Sequence, residues 1–456
     1  MASAPPGSQA PRRVFIKTFG CQMNVYDSGK LLALLRLDGF APTDDWREAD
    51  LVIVNTCSVR AKPQLKVRSF LGPIIASRRA RGGPRIAIAG CVAQHEGAEL
   101  FRRMPEVDLV MGTDALTRVR ALVRESEHRR VLDNSFLEVA DYPFVQELSP
   151  PGEPGVTALV TIQKGCDNHC TYCIVPQTRG TEISRPVEEI LEEVRGLCAH
   201  GARDVTLIGQ NVNAYGKKQA GYPGFASLLR AVHALPEVWR LRYTTSHPRD
   251  MDADTIACHA ELPRLADHLH LPVQAGSDRV LRRMGRGYDR ARYLEVVRAL
   301  KAANPRLSLS TDIIVGFPGE TREDFEATLS LMEEVHFDAS FSFVYSPRPD
   351  TAAVRLYARQ PVPAREAGQR LMELQALQSR LQLEGNQALV GQEREVLVEG
   401  PSRHDPAQQV GRTSCFRAVN FPGGPELVGR LVPVRITAAR AHSLVGIRAG
   451  GTPPCG

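Results

Sequence analysis

The sequence predicts an α/β chain in three parts: an N-terminal doubly wound parallel α/β domain, a partial (βα)6 barrel, and a small C-terminal all-β barrel. Three observations predict it. Short apolar runs alternate with helical patterns along two successive stretches. A Pro-rich segment, ELSPPGEPG from Glu147 to Gly155, separates those stretches. Beyond Gly391 the helical pattern gives way to short strands broken by turn residues. The expected boundaries are 12–146, 152–384 and 387–449.

In the first part, apolar runs start at Val14 (VFIKTFG), Leu51 (LVIVNT), Arg85 (RIAIAG) and Asp108 (DLVMGT), with helical patterns such as SGKLLALLRLDGF between them. Cys21, Cys57 and Cys91 each follow such a run by one or two residues. In a doubly wound sheet those strand ends open on one crevice, so cysteines distant in sequence converge. Single buried cysteines are also ordinary core residues, and the residues alone leave both readings open.

In the second part, six strands are expected at ALVTIQ, DVTLIG, RLRYTT, HLHLPV, LSTDIIVG and ASFSFVY. Residues with chemical potential follow them, as at the C-terminal face of a barrel. The first strand leads into KGCDNHCTYCIVP, with Cys166, Cys170 and Cys173. Gln210 and Asn211 follow the second, Ser246 and His247 the third, Gln274 the fourth, and Gly316 to Gly319 the fifth. The spacing C-x3-C-x2-C supplies three thiolates, which leave one iron of a four-iron cluster open. Zinc would need a fourth ligand, and His169 inside the run does not suit a tetrahedral site.

From Ala364 one amphipathic helix is expected, with Leu371, Leu374, Leu377 and Leu381 on one face. The last part is read as strands REVLVEG, TSCFRAVNF and ELVGRLVPVRITAAR. Between Gly391 and Gly450 it holds eight arginines, five acids and no lysine. Arginine and aromatics on a small barrel can track phosphates and stack bases. A solvated arginine face has the same composition. Arg412, Phe416, Arg417, Arg435 and Arg440 are the candidates.

Composition is ordinary for a globular chain: 456 residues, 43% hydrophobic, 24% charged, formal net charge +6. No apolar run approaches the roughly 20 residues that span a bilayer. The start, MASAPPGSQAPRR, lacks the apolar core of an export signal, and a disordered tail is expected there. The ten cysteines read as cytosolic thiols and not as a disulfide framework. Cys198, Cys258, Cys415 and Cys455 match no motif and are assigned structural or incidental roles.

The compact cysteine run, with Tyr172 before its last cysteine, resembles the signature of the radical S-adenosylmethionine superfamily. TFGCQMNVYDS, VNTCSVR, AGCVAQ and GCDNHCTYCIVPQTRGTEISRP together resemble the methylthiotransferase family over essentially the whole chain. That resemblance implies an N-terminal methylthiotransferase domain, a radical S-adenosylmethionine barrel and a C-terminal TRAM domain. It implies two 4Fe-4S clusters, one on Cys166, Cys170 and Cys173 and an auxiliary one on Cys21, Cys57 and Cys91. S-adenosylmethionine would be radical source and methyl donor, touched by the Tyr172 backbone, by Gly209, Gln210 and Asn211, and by Ser246. The TRAM resemblance supports RNA binding.

The run GCQMN is similar to the group that thiomethylates carbon 2 of isopentenyl-type adenosine at tRNA position 37. Groups acting on threonylcarbamoyladenosine or on a ribosomal-protein aspartate tend to read GCKVN and GCPKN. Expected partners are the tRNA anticodon stem-loop and a low-potential reductant such as flavodoxin or ferredoxin, with a monomeric, cytoplasmic, membrane-free chain. A non-enzymatic iron–sulfur protein that binds RNA or carries electrons is the competing class, and the open coordination positions argue against it. Arg179 and Arg185 either hold a phosphate or carboxylate, or pair with Glu182 or Glu188. His247 reads better as a hydrogen-bonded strand-end residue than as a substrate contact.

Overall fold

The computed structural model describes residues 11–58, 61–137, 142–147, 155–403 and 405–449. The start of the chain, most of ELSPPGEPG, and the GGTPPCG tail with Cys455 lie outside the described residues. The chain divides into two compact units. One runs to Glu153 and takes in Ile174–Thr181; the other comprises Pro154–Cys173 and Glu182 onward. The short segment after the compact cysteine run, expected to stay with the barrel, therefore belongs to the first unit.

The first unit is built on six strands: β1 (Arg12–Phe19), β2 (Phe40–Pro42), β3 (Leu51–Thr56), β4 (Arg85–Ala89), β5 (Leu109–Met111) and β6 (Val131–Asp133). Their order is β2-β1-β3-β4-β5-β6, all parallel. All six residues of β3 are buried, because helices cover both faces. One apolar cluster gathers Leu31, Leu35 and Ile53, and another gathers Val52, Val54, Leu71 and Ile74. The order turns back between β1 and β3, which opens the crevice of a doubly wound sheet. Four strands were expected and six are present. The two extra strands, β2 (FAP) and β6 (VLD), lie at the sheet edges with only their first residues buried, so neither shows the apolar run that marks the equally short β5.

The second unit begins with β7 (Thr157–Thr161), β8 (Gln163–Lys164) and β9 (Ile183–Ser184). The last two form a small antiparallel pair that brackets the cysteine run. Then come β10 (Asp204–Ile208), β11 (Arg240–Tyr243), β12 (His268–His270), β13 (Ser308–Val315) and β14 (Ala339–Val344). These form two parallel sheets, β11-β10-β7 and β12-β13-β14, linked by the bridge Leu241↔Leu265. One face of the strands, with Val205, Leu207, Leu241, Leu269, Leu309 and Ile313, packs into the main core. The other face is polar: Arg242 pairs with Asp204, and His268 and His270 both bond to Ser310 at 3.0 Å. A closed barrel fills that interior with branched apolar side chains. Here it is a chamber, in which Phe341 is 53% exposed.

The helix Ala364–Gln387 buries Leu374 and Leu381, with Leu371 and Leu377 half-buried, as the periodicity predicts. The chain then closes a barrel of β15 (Glu393–Pro401), β16 (Gln408–Thr413), β17 (Ala418–Pro422), β18 (Leu431–Ala439) and β19 (Leu444–Arg448), in the order β15-β16-β17-β19-β18. TSCFRAVNF, expected as one strand, is two. Thr413 ends β16, and Phe416 turns the chain with φ of 68°. In ELVGRLVPVRITAAR the strand starts only at Leu431, after a turn at Pro425–Leu427.

Candidate active-site cysteines

In the first unit, parallel register brings the ends of β1, β3 and β4 together, so Cys21, Cys57 and Cys91 meet in the crevice. Cys57 shares hydrogen bonds with both of the others. Those bonds hold the Cys21 and Cys91 thiols below their usual range against the opposing effect of burial, and the Arg179 charge adds to the lowering. The same bonds push Cys57 up. Cys57 and Cys91 are buried and Cys21 is exposed. Asn24 donates to Asn55 Oδ1 (3.0 Å), and Asn55 donates back to the Asn24 carbonyl (2.9 Å). That reciprocal pair ties the end of β3 to the helix Gln22–Arg36, which starts right after Cys21.

Two glycines are needed here. A Cβ on Gly20 would lie 2.8 Å from Cys57 Cβ, and Gly90, at φ of 88°, has Asn55 Oδ1 2.3 Å from where its Cβ would stand. Arg179, one of the undecided arginines, pairs with neither Glu182 nor Glu188. It is buried in the first unit against Asp27, at 2.7 Å, beside the thiols. Burial raises the Asp27 carboxyl, and Arg179 opposes the rise.

In the second unit, Cys166, Cys170 and Cys173 share one loop. Burial pushes the Cys166 thiol up to about 11. Thr171 anchors the loop, donating from its backbone to Met284 O (2.9 Å) and from its hydroxyl to Arg283 O (2.8 Å). At the neighbouring strand ends, Gln163 Oε1, Gln210 Oε1, Asn211 Oδ1 and Ser246 Oγ are buried with no hydrogen-bond partner among the described residues. Orphaned polar atoms at strand ends ask for a ligand. Gly209 has no room for a Cβ, which would meet Gln163 Cγ at 2.8 Å. Thr245 and Gln274 hold φ of 70° and 75°, strain of the kind found at functional sites.

His247 is a bonded strand-end residue. Its Nδ1 accepts from Arg249 N (3.2 Å), and burial lowers its pKa to about 2. Arg185 is a core residue bound to Glu193 and Glu189, again not the expected partners.

Each set supplies three thiols, the number that would leave one iron of a four-iron cluster open. Among the described residues no His, Cys, Asp or Glu trio closes around a single ion. Ligands of a cube each take a different iron and need not close that tightly. Sequence reasoning missed Asp27, Gln163 and Arg286, whose Nη1 lies 3.4 Å from Cys170 Sγ. Asp27 lies inside TFGCQMNVYDS and Gln163 just before the compact cysteine run, but neither residue type marks itself as part of a site, and Arg286 reaches its site from a distant segment.

Of the RNA candidates, Arg412, Phe416 and Arg417 belong to a joint. Arg240 and Arg242 bond the carbonyls of Arg412, Thr413 and Ser414 at 2.8–3.1 Å, at the strand-start end of the half-barrel. Phe416 stacks on His268 and lies between Arg242 and Arg412, and Arg417 binds Asp338 and Asn386. Arg435, paired with Glu393, and Arg440 stay exposed.

Comparison with known proteins follows the same three segments. Residues 13–112 match the model described as uncharacterized protein family UPF0004, residues 160–332 the radical SAM superfamily, and residues 387–447 the TRAM domain. Over 435 residues the chain is 50% identical to a tRNA-2-methylthio-N(6)-dimethylallyladenosine synthase of Geobacter metallireducens, covering 95% of this chain and 97% of the relative. This chain belongs to that synthase family. A Bordetella bronchiseptica synthase of the same name is 47% identical over 450 residues, covering 97% of this chain and 94% of its own.

Among solved structures, the radical S-adenosylmethionine methyltransferase TsrM of Kitasatospora setae, with cobalamin and a 4Fe-4S cluster bound, matches with TM-score 0.54 and 16% identity over 75% of this chain and 74% of its own. The cobalamin-dependent radical enzyme OxsB matches with TM-score 0.51 and 12% identity, covering 79% and 56%. Those two likenesses concern the fold alone. No helix among the described residues is long and apolar enough to cross a membrane.

Proposed function

We propose that this chain transfers a methylthio group to carbon 2 of N6-(dimethylallyl)adenosine at tRNA position 37. The observation that carries the reading is the pair of three-thiol sets in a chain so similar, end to end, to synthases of that name. When bound, two 4Fe-4S clusters and S-adenosylmethionine supply the electron, the radical and the methyl group.

The chain's own residues do the rest. Cys166, Cys170 and Cys173 hold one cluster, and Cys21, Cys57 and Cys91 the other. Gln210, Asn211 and Ser246 offer unpaired oxygens to the ammonium and hydroxyl donors of the cofactor. Tyr172 presents its backbone to the adenine, and Gly209 lets it approach. The target base has to leave its stack to be reached. The polar half-barrel interior receives it, with the exposed Phe341 ring as stacking surface. Arg435 and Arg440 contact phosphates of the anticodon stem-loop. Arg412, Phe416 and Arg417 contribute to RNA binding by fixing the barrel. The electron comes from a low-potential carrier of the flavodoxin or ferredoxin class, and the chain acts in the cytoplasm.

The test is nucleoside mass spectrometry on the anaerobically reconstituted chain with reductant, S-adenosylmethionine and tRNA. A methylthio mass gain on the dimethylallyl nucleoside supports the reading. Gain only on the threonylcarbamoyl nucleoside overturns the substrate. No gain on either, with the cofactor still cleaved, favours a protein substrate.

A further inference from the structure

The buried arginines differ in how their charge is balanced. Arg179 pairs with Asp27, Arg185 with Glu193, Arg242 with Asp204 and Arg370 with Glu320. Arg286 is just as buried, at 5% exposure, and has no carboxylate partner among the described residues. Its Nε donates to Tyr288 Oη (3.0 Å), its Nη2 to Pro272 O (2.9 Å), and its Nη1 to Tyr172 Oη and Cys170 Sγ (both 3.4 Å). Phenols and a carbonyl satisfy its N–H groups but do not balance its charge. A charge removed from water without a counter-ion is costly. Of its partners, Cys170 is the one that would meet a cluster as a thiolate ligand.

We propose that Arg286 is a positioning residue whose charge balances the thiolate-bound cluster at Cys166, Cys170 and Cys173 and raises its reduction potential. This rests on the cluster assignment above. A cluster gains negative charge on reduction, so a fixed positive charge and an N–H aimed at a ligand sulfur stabilise the reduced form. The phenol pair and the Pro272 carbonyl hold the guanidinium at that sulfur in advance. Tyr172 sits between two of the ligands in sequence, so one arginine couples the shape of the loop to its charge.

The experiment compares wild type, Arg286→Met and Arg286→Lys as full chains, before and after anaerobic reconstitution. A redox titration followed by electron paramagnetic resonance tracks the signal that S-adenosylmethionine perturbs. Arg286→Met is expected to make that cluster harder to reduce by tenfold or more, about 59 mV for one electron. The signal it does not perturb should keep its potential, and Arg286→Lys should recover part of the shift. Before reconstitution, Arg286→Met should melt at or above the wild-type temperature, because an unbalanced charge has been removed. Failure of Arg286→Met to take up iron at this site, with Arg286→Lys restoring uptake, also supports the role. An unchanged potential in Arg286→Met overturns it. So does a large loss of stability before reconstitution, which would make Arg286 a packing residue. None of these readings uses tRNA, so a wrong substrate in the proposed function leaves them intact.

Discussion

The two thiol sets are built in opposite ways. In the first unit, three cysteines far apart in sequence meet because β1, β3 and β4 run parallel and end at one level. In the second, three cysteines share one loop, Gln163 stands just before it, and distant residues come to them: Asn211, Ser246 and Arg286. Each set has a buried arginine at a sulfur, but Arg179 brings a carboxylate with it and Arg286 does not. The first site depends on strand register. The second depends on the chamber wall around a local motif.

The sharpest way to break this comparison is to remove one thiol from each set. Cys170→Ala should abolish both 5′-deoxyadenosine formation and product while the other set still takes up iron. Continued 5′-deoxyadenosine formation would sink the assignment. Cys57→Ala should abolish product but leave cofactor cleavage running uncoupled; product from that variant would show that the dispersed thiols are incidental.

Arg179→Ala comes next. It strands the Asp27 carboxyl inside the first unit, and breaking such a buried pair costs about 3–5 kcal/mol. Urea unfolding should register that loss, and adding Asp27→Asn should restore much of it. If the single variant unfolds like wild type, the pair is not what holds Ile174–Thr181 in place.

The second unit carries a pH dependence that sharpens the contrast. His259 accepts from or donates to the Tyr243 hydroxyl at 2.7 Å, and burial lowers its pKa from 6.5 to about 4. The folded state therefore favours the neutral ring. Its contribution is whole above pH 6.5 and is lost as pH falls toward 4. That loss is worth about 1.4 kcal/mol per pH unit at most. His259→Gln should reduce the slope of the unfolding free energy across that window, leaving the part that the buried His247 and His268 carry, and an equally steep curve would assign the dependence elsewhere.

The smallest effect is expected at Arg435, in the terminal barrel. Its pair with Glu393 is exposed, so Arg435→Ala should change stability by less than about 0.5 kcal/mol. Its effect belongs in tRNA affinity, with the salt slope reduced by about one. An unchanged slope would remove it from the RNA surface.

Much of the fold and of both thiol sites is legible in the amino-acid sequence. Apolar runs locate the central strands, because a strand buried on both faces is mostly apolar, as β3 is up to the buried Asn55 and Thr56 at its end. The cysteine spacing offers three thiolates in one loop, one short of closing a four-iron cluster, and the family resemblance implies the chemistry. The edge strands β2 and β6 are not legible, because FAP and VLD form no apolar run, unlike the equally short LVM of β5. Nor is the break inside TSCFRAVNF, where Phe416 takes a left-handed conformation that a strand-like composition conceals.

The sequence by itself determined which residues bear thiols and which segments become strands, because both are local properties of side-chain chemistry and periodicity. Tertiary structure decided which polar groups are left unpaired, and which arginine lacks a carboxylate. It also decided that Arg179 and Arg185 pair with Asp27 and Glu193, and not with the nearby Glu182 or Glu188. Those outcomes depend on which distant side chains share one buried volume. Charge balance in low dielectric is settled by neighbours in space, which spacing along the chain does not encode.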